Sequence, residues 1–159
     1  MGPQVGKEIM KPLLVGEANP YGNDPRFALY PYPERASGHR LAVLVMGMEP
    51  RQYIRAFDRV NLCPERWSVG VARERADAVK ADPSHRVIVL LGSKVAAAFG
   101  VKYEPFTVHE LWPGFLSPPC LAKKRFVVLP HPSGLCRAWN EPGSFDKARR
   151  VLRAAGVLP

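Results

Sequence analysis

Between Arg86 and Gly92 the chain runs Val-Ile-Val-Leu-Leu, with no polar residue to mark an exposed face. A strand wet on one side alternates apolar and polar side chains. An unbroken apolar run therefore belongs to a strand covered on both faces, the usual state of a parallel sheet. Gly92-Ser93 then turns the chain into a helix from Lys94 to Phe99, closed by Gly100. A buried strand followed at once by a helix is the unit from which α/β folds are built.

The rest of the chain supplies more such units. Lys11 to Gly16 reads as a short buried strand ending at a glycine. Residues 17–36 follow with four prolines, and an irregular loop of that length inside a domain is usually functional. Ser37-Gly38 opens an apolar helical pattern through Leu41, Leu44, Val45 and Met48, and Pro50 starts a second helix through Tyr53, Ile54 and Phe57. Arg59 to Cys63 reads as a strand stopped by Pro64, Val69 to Val79 as a helix, and Phe126 to Leu129 as another buried strand. Ser144 is placed to cap a last helix through Val151 and Leu152. Residues 101–120 read ambiguously, with an edge strand near Phe106–Val108 and a Trp-Pro-Gly turn. Strand and helix alternate four times. The expectation is a three-layer α/β/α sandwich with a central, mainly parallel four-stranded sheet, residues 1–159 forming a single domain.

Composition narrows the class. A chain of 159 residues, 47% hydrophobic and 23% charged, is an ordinary globular chain rather than a disordered one. It is long enough to remove roughly 70% of its extended surface from water without a disulfide or metal. No apolar run approaches the roughly 18–20 residues that span a bilayer, and the N-terminal stretch lacks a signal-peptide pattern. Cys63, Cys120 and Cys136 are an odd number with no Cys-x-x-Cys pair, which fits a reducing compartment and argues against a metal site. A cytoplasmic chain with no membrane partner is expected.

The net charge is +9, and it is unevenly placed. Residues 120–159 carry eight basic side chains against Glu141 and Asp146, and residues 34–75 carry eight against five. A localised positive field attracts phosphate backbones. Charge alone leaves nucleic-acid binding level with the plainer reading of a soluble protein that is merely basic.

Three polar motifs fall at the carboxyl ends of predicted strands: Gly16-Glu17-Ala18-Asn19-Pro20-Tyr21-Gly22, Val60-Asn61-Leu62-Cys63-Pro64 and His131-Pro132-Ser133-Gly134. Parallel strands put all three on one edge of the sheet, where ligands bind. A carboxylate or amide, a second amide and a histidine around one cleft suit water-mediated cleavage with an anionic leaving group. A lone loop histidine is more often structural; its company makes the signal specific.

With those motifs in this order, residues 12–155 resemble the uracil-DNA glycosylase superfamily. Gly16–Gly22 looks like its water-activating motif, mixing features of the thermophilic and uracil-specific branches with Asn in place of Asp. Val60–Pro64 looks like the segment whose asparagine reads the base edge. Val87–Gly100 is close to a strand-glycine-helix stretch of the thermophilic branch, and Leu129–Gly134 to the terminal His-Pro-Ser motif. The Asn-for-Asp exchange resembles the mismatch-specific and single-strand-selective branches.

The resemblance implies a DNA glycosylase of the repair type. It would hydrolyse the N-glycosidic bond of a flipped-out, deaminated or modified base and leave an abasic site. His131 would donate a hydrogen bond to the departing base, and Asn61 would read its edge through one donor and one acceptor. Asn19 would hold the attacking water. An amide takes no proton, so Glu17 is the rival for the base role. Tyr30 or Tyr32, with Tyr32 favoured, would stack on the base, against ordinary loop packing. Tyr21 sits where a tyrosine bars 5-substituted pyrimidines. Leu135, with Arg137, would wedge into the space left by the base, or else pack beneath its loop. Ser133 and Gly134 would also meet DNA, and Lys123, Lys124 and Arg125 would face phosphate if they lie at the cleft rim; otherwise they are solvated turn residues. The thermophilic branch's iron–sulfur cluster needs four cysteines, two near the N-terminus, so no cluster is expected here, and no other cofactor or metal. The expected protein is a monomer associated with the nucleoid. Two alternatives stand beside this reading: a glycosylase for a hypermodified base of foreign DNA, and a decayed DNA-binding module of the same fold.

Overall fold

The apolar run forms β3 (Val87–Leu91), whose last four residues are buried. The structure, a computed structural model, describes residues 10–19, 24–111 and 123–159. Around β3 lie β1 (Leu13–Ala18), β2 (Asp58–Cys63), β4 (Thr107–Leu111) and β5 (Lys124–Leu129). The strand order is β2-β1-β3-β5-β4. Strands β1, β2, β3 and β5 are mutually parallel, with Gly16 opposite Asn61, Val15 opposite Leu90, and Leu91 opposite Leu129.

The sheet thus has five strands, not four. The fifth, β4, runs antiparallel to β5 at the edge. Its sequence, Thr-Val-His-Glu-Leu, is partly exposed along its length, so it lacks the apolar run that announces a buried strand. It covers the region where an edge strand was expected.

Helices cover both faces. On one side lie α1 (Ser37–His39), α2 (Pro50–Ala56) and α5 (Ser144–Ala154), packed on a core that includes Leu14, Val89, Val127 and Leu129. On the other lie α3 (Val69–Ala81) and α4 (Ser93–Ala98), packed on Leu13, Val15, Ile88, Leu90 and Val128. The alternation of the two sets along β1 and β3 is the period-two geometry of a strand buried on both faces. Cys63 belongs to the second core and Cys136 packs against the first, so the two thiols lie on opposite faces rather than side by side.

Helix α1 continues as a π-helical segment over Arg40–Val45, where Met46 N–H reaches back to the Leu41 carbonyl at 2.9 Å. The wider winding buries Leu41, Ala42, Val45 and Met46 and leaves Leu44 partly exposed, contrary to the 3.6-residue pattern expected there. Arg149 of α5 donates to the carbonyls of Val45 and Leu44, each at 3.0 Å, and so satisfies the end of this segment. The last helix is capped by Gly143 rather than Ser144; the Ser144 hydroxyl instead donates to the Trp139 carbonyl at 2.9 Å. Among the described residues no helix is long and apolar enough to cross a membrane.

Candidate functional site

Strand order fixes where a site can form. From β1 the chain moves first to β2 on one side, then to β3 on the other, and the crevice beyond β1 and β3 is the switch point where open α/β sheets bind ligands. A cavity of about 360 Å3 opens at this edge. Glu17, Asn19, Asn61 and His131 line it, together with Phe27, Tyr30, Tyr32 and Arg35.

Asn61 reaches the cavity across β1. A methyl group added to Gly16, its register partner, would lie 2.5 Å from Asn61 Oδ1 and 3.1 Å from Leu29 Cδ2. Only a residue without a side chain lets the amide cross there. Asn19 is 5% exposed, and its Nδ2 donates to the Asp24 carbonyl at 3.3 Å, which ties the end of β1 to the 3-10 turn at Pro25–Phe27.

His131 and Glu17 meet over Gly92. A methyl group at Gly92 would lie 3.3 Å from His131 Cβ and 3.5 Å from Glu17 Oε1, and the residue's φ of +100° is itself one that favours glycine. The Ser133 backbone N–H donates to His131 Nδ1 at 3.1 Å. Nδ1 therefore carries no proton, and the neutral ring bears its proton on Nε2. Burial holds the imidazole below its ordinary value of 6.5; the Glu17 carboxylate opposes this and Lys94 adds to it. The ring is a neutral donor at physiological pH.

Two side-chain bonds, one of them from 92 residues away, hold the loop that carries this histidine. Trp139 Nε1 donates to the His131 carbonyl at 2.8 Å, and Arg40 Nε donates to the Pro132 carbonyl at 3.1 Å. The Ser133 hydroxyl accepts from Leu135 N–H at 3.1 Å, closing a tight turn. Leu135 at its tip is 93% exposed, so it does not pack beneath the loop. Gly134 and the exposed Arg137 lie on the same surface segment.

Part of the cavity wall is aromatic. Phe27 and Tyr30 meet edge to face with centroids 5.2 Å apart, and Tyr30 and Tyr32 lie 5.8 Å apart. Phe27 is 42% and Tyr32 45% exposed at the cavity mouth. Tyr21 lies outside the described residues, as does Cys120.

The basic triplet is elsewhere. Lys124 and Arg125 begin β5, whereas His131 follows its end, so the triplet sits at the opposite edge of the sheet from the cavity. Lys124 is 6% exposed, and its Nζ donates to the carbonyls of Val79 at 3.1 Å and Asp82 at 2.5 Å, closing the carboxyl end of α3. Lys123 and Arg125 both pair with Glu110 on β4, Arg125 at 3.6 Å. The expected placement of Lys123, Lys124 and Arg125 at the cleft rim is thus corrected, because the triplet enters β5 and His131 leaves it; nor is the buried Lys124 a solvated turn residue. Cations near the cavity are instead Arg35, which lines it, and Lys94, whose charge is felt by His131.

Motif spacing pointed to Glu17, Asn19, Asn61 and His131 but not to Phe27, Arg35, Arg40 or Trp139. Phe27 shares its loop with Tyr30 and Tyr32, a signal available in sequence. Arg40 and Pro132 are 92 residues apart, and no local pattern announces that bond. Among the described residues no three His, Cys, Asp or Glu side chains gather as metal ligands.

Fold and cavity define an α/β protein with a polar, aromatic-walled site at the switch point of a mainly parallel sheet. Compared with family models and with curated proteins, the sequence matches none of either.

Proposed function

We propose that this chain is a DNA glycosylase, hydrolysing the N-glycosidic bond of a deaminated or modified base flipped into the cavity. The observation that carries the proposal is the convergence of His131, Glu17, Asn19 and Asn61 on one cavity faced by Tyr30 and Tyr32. A flipped base would slide against the aromatic wall, which supplies a stacking face at little entropic cost. Asn61 would read its amide-like edge. As the bond lengthens, negative charge grows on the base, and the neutral His131 ring would donate its Nε2 proton as a hydrogen bond to the base oxygen. A fixed donor aimed at developing charge is the strongest means such a site has of lowering the barrier. Water would attack the sugar carbon from beside Glu17 and Asn19; Glu17 is the group able to take its proton, and Asn19 is held to orient it.

Leu135, exposed at the tip of the His131 loop, is suited to fill the gap left in the stack. Arg137, Ser133 and Gly134 would follow the phosphates beside it. The partner in this reading is DNA, the protein acts as a monomer, and its place is the cytoplasm, on the nucleoid. The chemistry is carried by side chains alone.

The test is an end-labelled oligonucleotide panel holding uracil, hypoxanthine, xanthine and 5-substituted cytosines, each in single and double strands, followed by alkali. A strand break that vanishes in His131→Ala supports the glycosylase and names its base class. Salt-sensitive binding without a break anywhere in the panel favours the non-catalytic module.

A further inference from the structure

The aromatic wall has little regular structure of its own beyond the short turn at Pro25–Phe27, yet its carbonyls are taken one after another by side chains from elsewhere. Arg59 Nη2 donates to Arg26 O at 3.4 Å and Nη1 to Ala28 O at 2.9 Å. Tyr53 Oη donates to Leu29 O at 2.9 Å, and His39 Nδ1 lies 3.0 Å from Pro31 O. The Arg59 guanidinium also lies over two rings, 5.7 Å from the centroid of Tyr30 and 5.9 Å from that of Tyr53. Among the described residues its Nε is the one buried side-chain polar atom without a hydrogen-bond partner. A planar fork lying over two rings serves two carbonyls at the expense of its third direction, and a lysine ammonium cannot reproduce that shape.

Arg59 stands two residues before Asn61 on β2, so both side chains leave the same face of the strand. We propose that Arg59 is a positioning residue for base excision: it locks the Phe27–Tyr30 wall to the strand that carries Asn61, so that the stacking face and the edge-reading amide keep one fixed separation. This rests on the glycosylase reading. A base gripped between a wall and an amide reacts only when both are in register, and misplacement by about 1 Å can cost on the order of 10²-fold in rate.

Two measurements test it. Amide exchange followed by mass spectrometry reads the wall directly, because Phe27, Ala28 and Tyr30 N–H groups are bonded within the segment at 3.1–3.3 Å. In Arg59→Ala and Arg59→Lys their exchange should rise about tenfold or more while that of β3 stays unchanged. Excision of the preferred base should fall on the order of 10²-fold in Arg59→Ala, without rescue by Arg59→Lys. In a Tyr30→Ala background Arg59→Ala should cost little more, since its route of action is already gone. Unchanged exchange at the wall, or full additivity with Tyr30→Ala, overturns the proposal. If the unaltered protein excises nothing, the glycosylase reading fails, and exchange alone still decides whether Arg59 holds the wall.

Discussion

The Asn61 side chain passes over the bare Cα of Gly16, close enough that a methyl group there would come within 2.5 Å of Asn61 Oδ1. The first motif thus owes its glycine to the second motif's asparagine. Gly16→Ala should push Asn61 out of the cavity and lower stability by about 1–3 kcal/mol, the usual cost of overpacking. Chemical denaturation checks it: Gly16→Ala/Asn61→Ala should recover part of the loss. No recovery would mean that Leu29, not Asn61, takes the clash.

His131 gives a pH dependence with a definite sign. Its folded value lies below the ordinary 6.5, chiefly through burial, so the unfolded chain binds the proton first as pH falls. Its contribution to stability is complete above about pH 6.5 and is lost as pH drops through the lower folded value. Protonation would also put a second proton on Nδ1, facing the Ser133 N–H. Thermal unfolding between pH 4 and 8 should therefore fall more steeply on the acid side for the unaltered protein than for His131→Asn. Parallel curves would contradict the buried neutral ring.

Glu17 and Asn19 both line the cavity, but only one can accept a proton. Glu17→Gln should remove the acidic limb of the pH–rate profile. Asn19→Ala should keep that limb and lower the rate throughout, because the amide tied to Asp24 orients rather than titrates. Profiles of excision against pH for the two variants separate the roles.

Much of this arrangement is legible in sequence because it rests on local patterns. The Val87–Leu91 run and Gly92 place a strand and the turn after it, and strands place their motifs at one edge. The helix at Ser37 is legible as a helix but not as a π-helix, since the side chain that satisfies the Val45 and Leu44 carbonyls at its end, Arg149, lies 104 and 105 residues away. The basic triplet shows the limit most clearly. Lys124 looks like a surface charge, and only the arrival of the Val79 and Asp82 carbonyls at the end of α3 turns it into a buried cap.

That correction is testable. Lys124→Met should cost about 1–3 kcal/mol, because the Asp82 carbonyl loses the Lys124 ammonium and the Val79 carbonyl keeps only the Asp82 N–H at 3.2 Å. It should leave DNA affinity unchanged. Arg137→Ala and Arg35→Ala should do the reverse, each reducing the slope of log affinity against log salt by about one. Binding isotherms at several salt concentrations, beside denaturation curves, read both effects.

Leu135 is 93% exposed, so its truncation removes almost no packing. Leu135→Ala should change stability by less than about 0.5 kcal/mol. Excision from duplex should fall while excision from single strands is largely kept, because only the duplex has a stack to refill. Equal losses on both substrates would remove the wedge from the account.

The central claim is that the cavity breaks a glycosidic bond, and release of the free base is its most direct sign. Mass spectrometry of the small-molecule fraction, after incubation with oligonucleotides carrying deaminated or modified bases, should find one free base and a strand lighter by that base with water added. Both should disappear in His131→Ala. Intact strands and no free base, from a protein that still binds the DNA, would contradict the account and leave a binding module in its place.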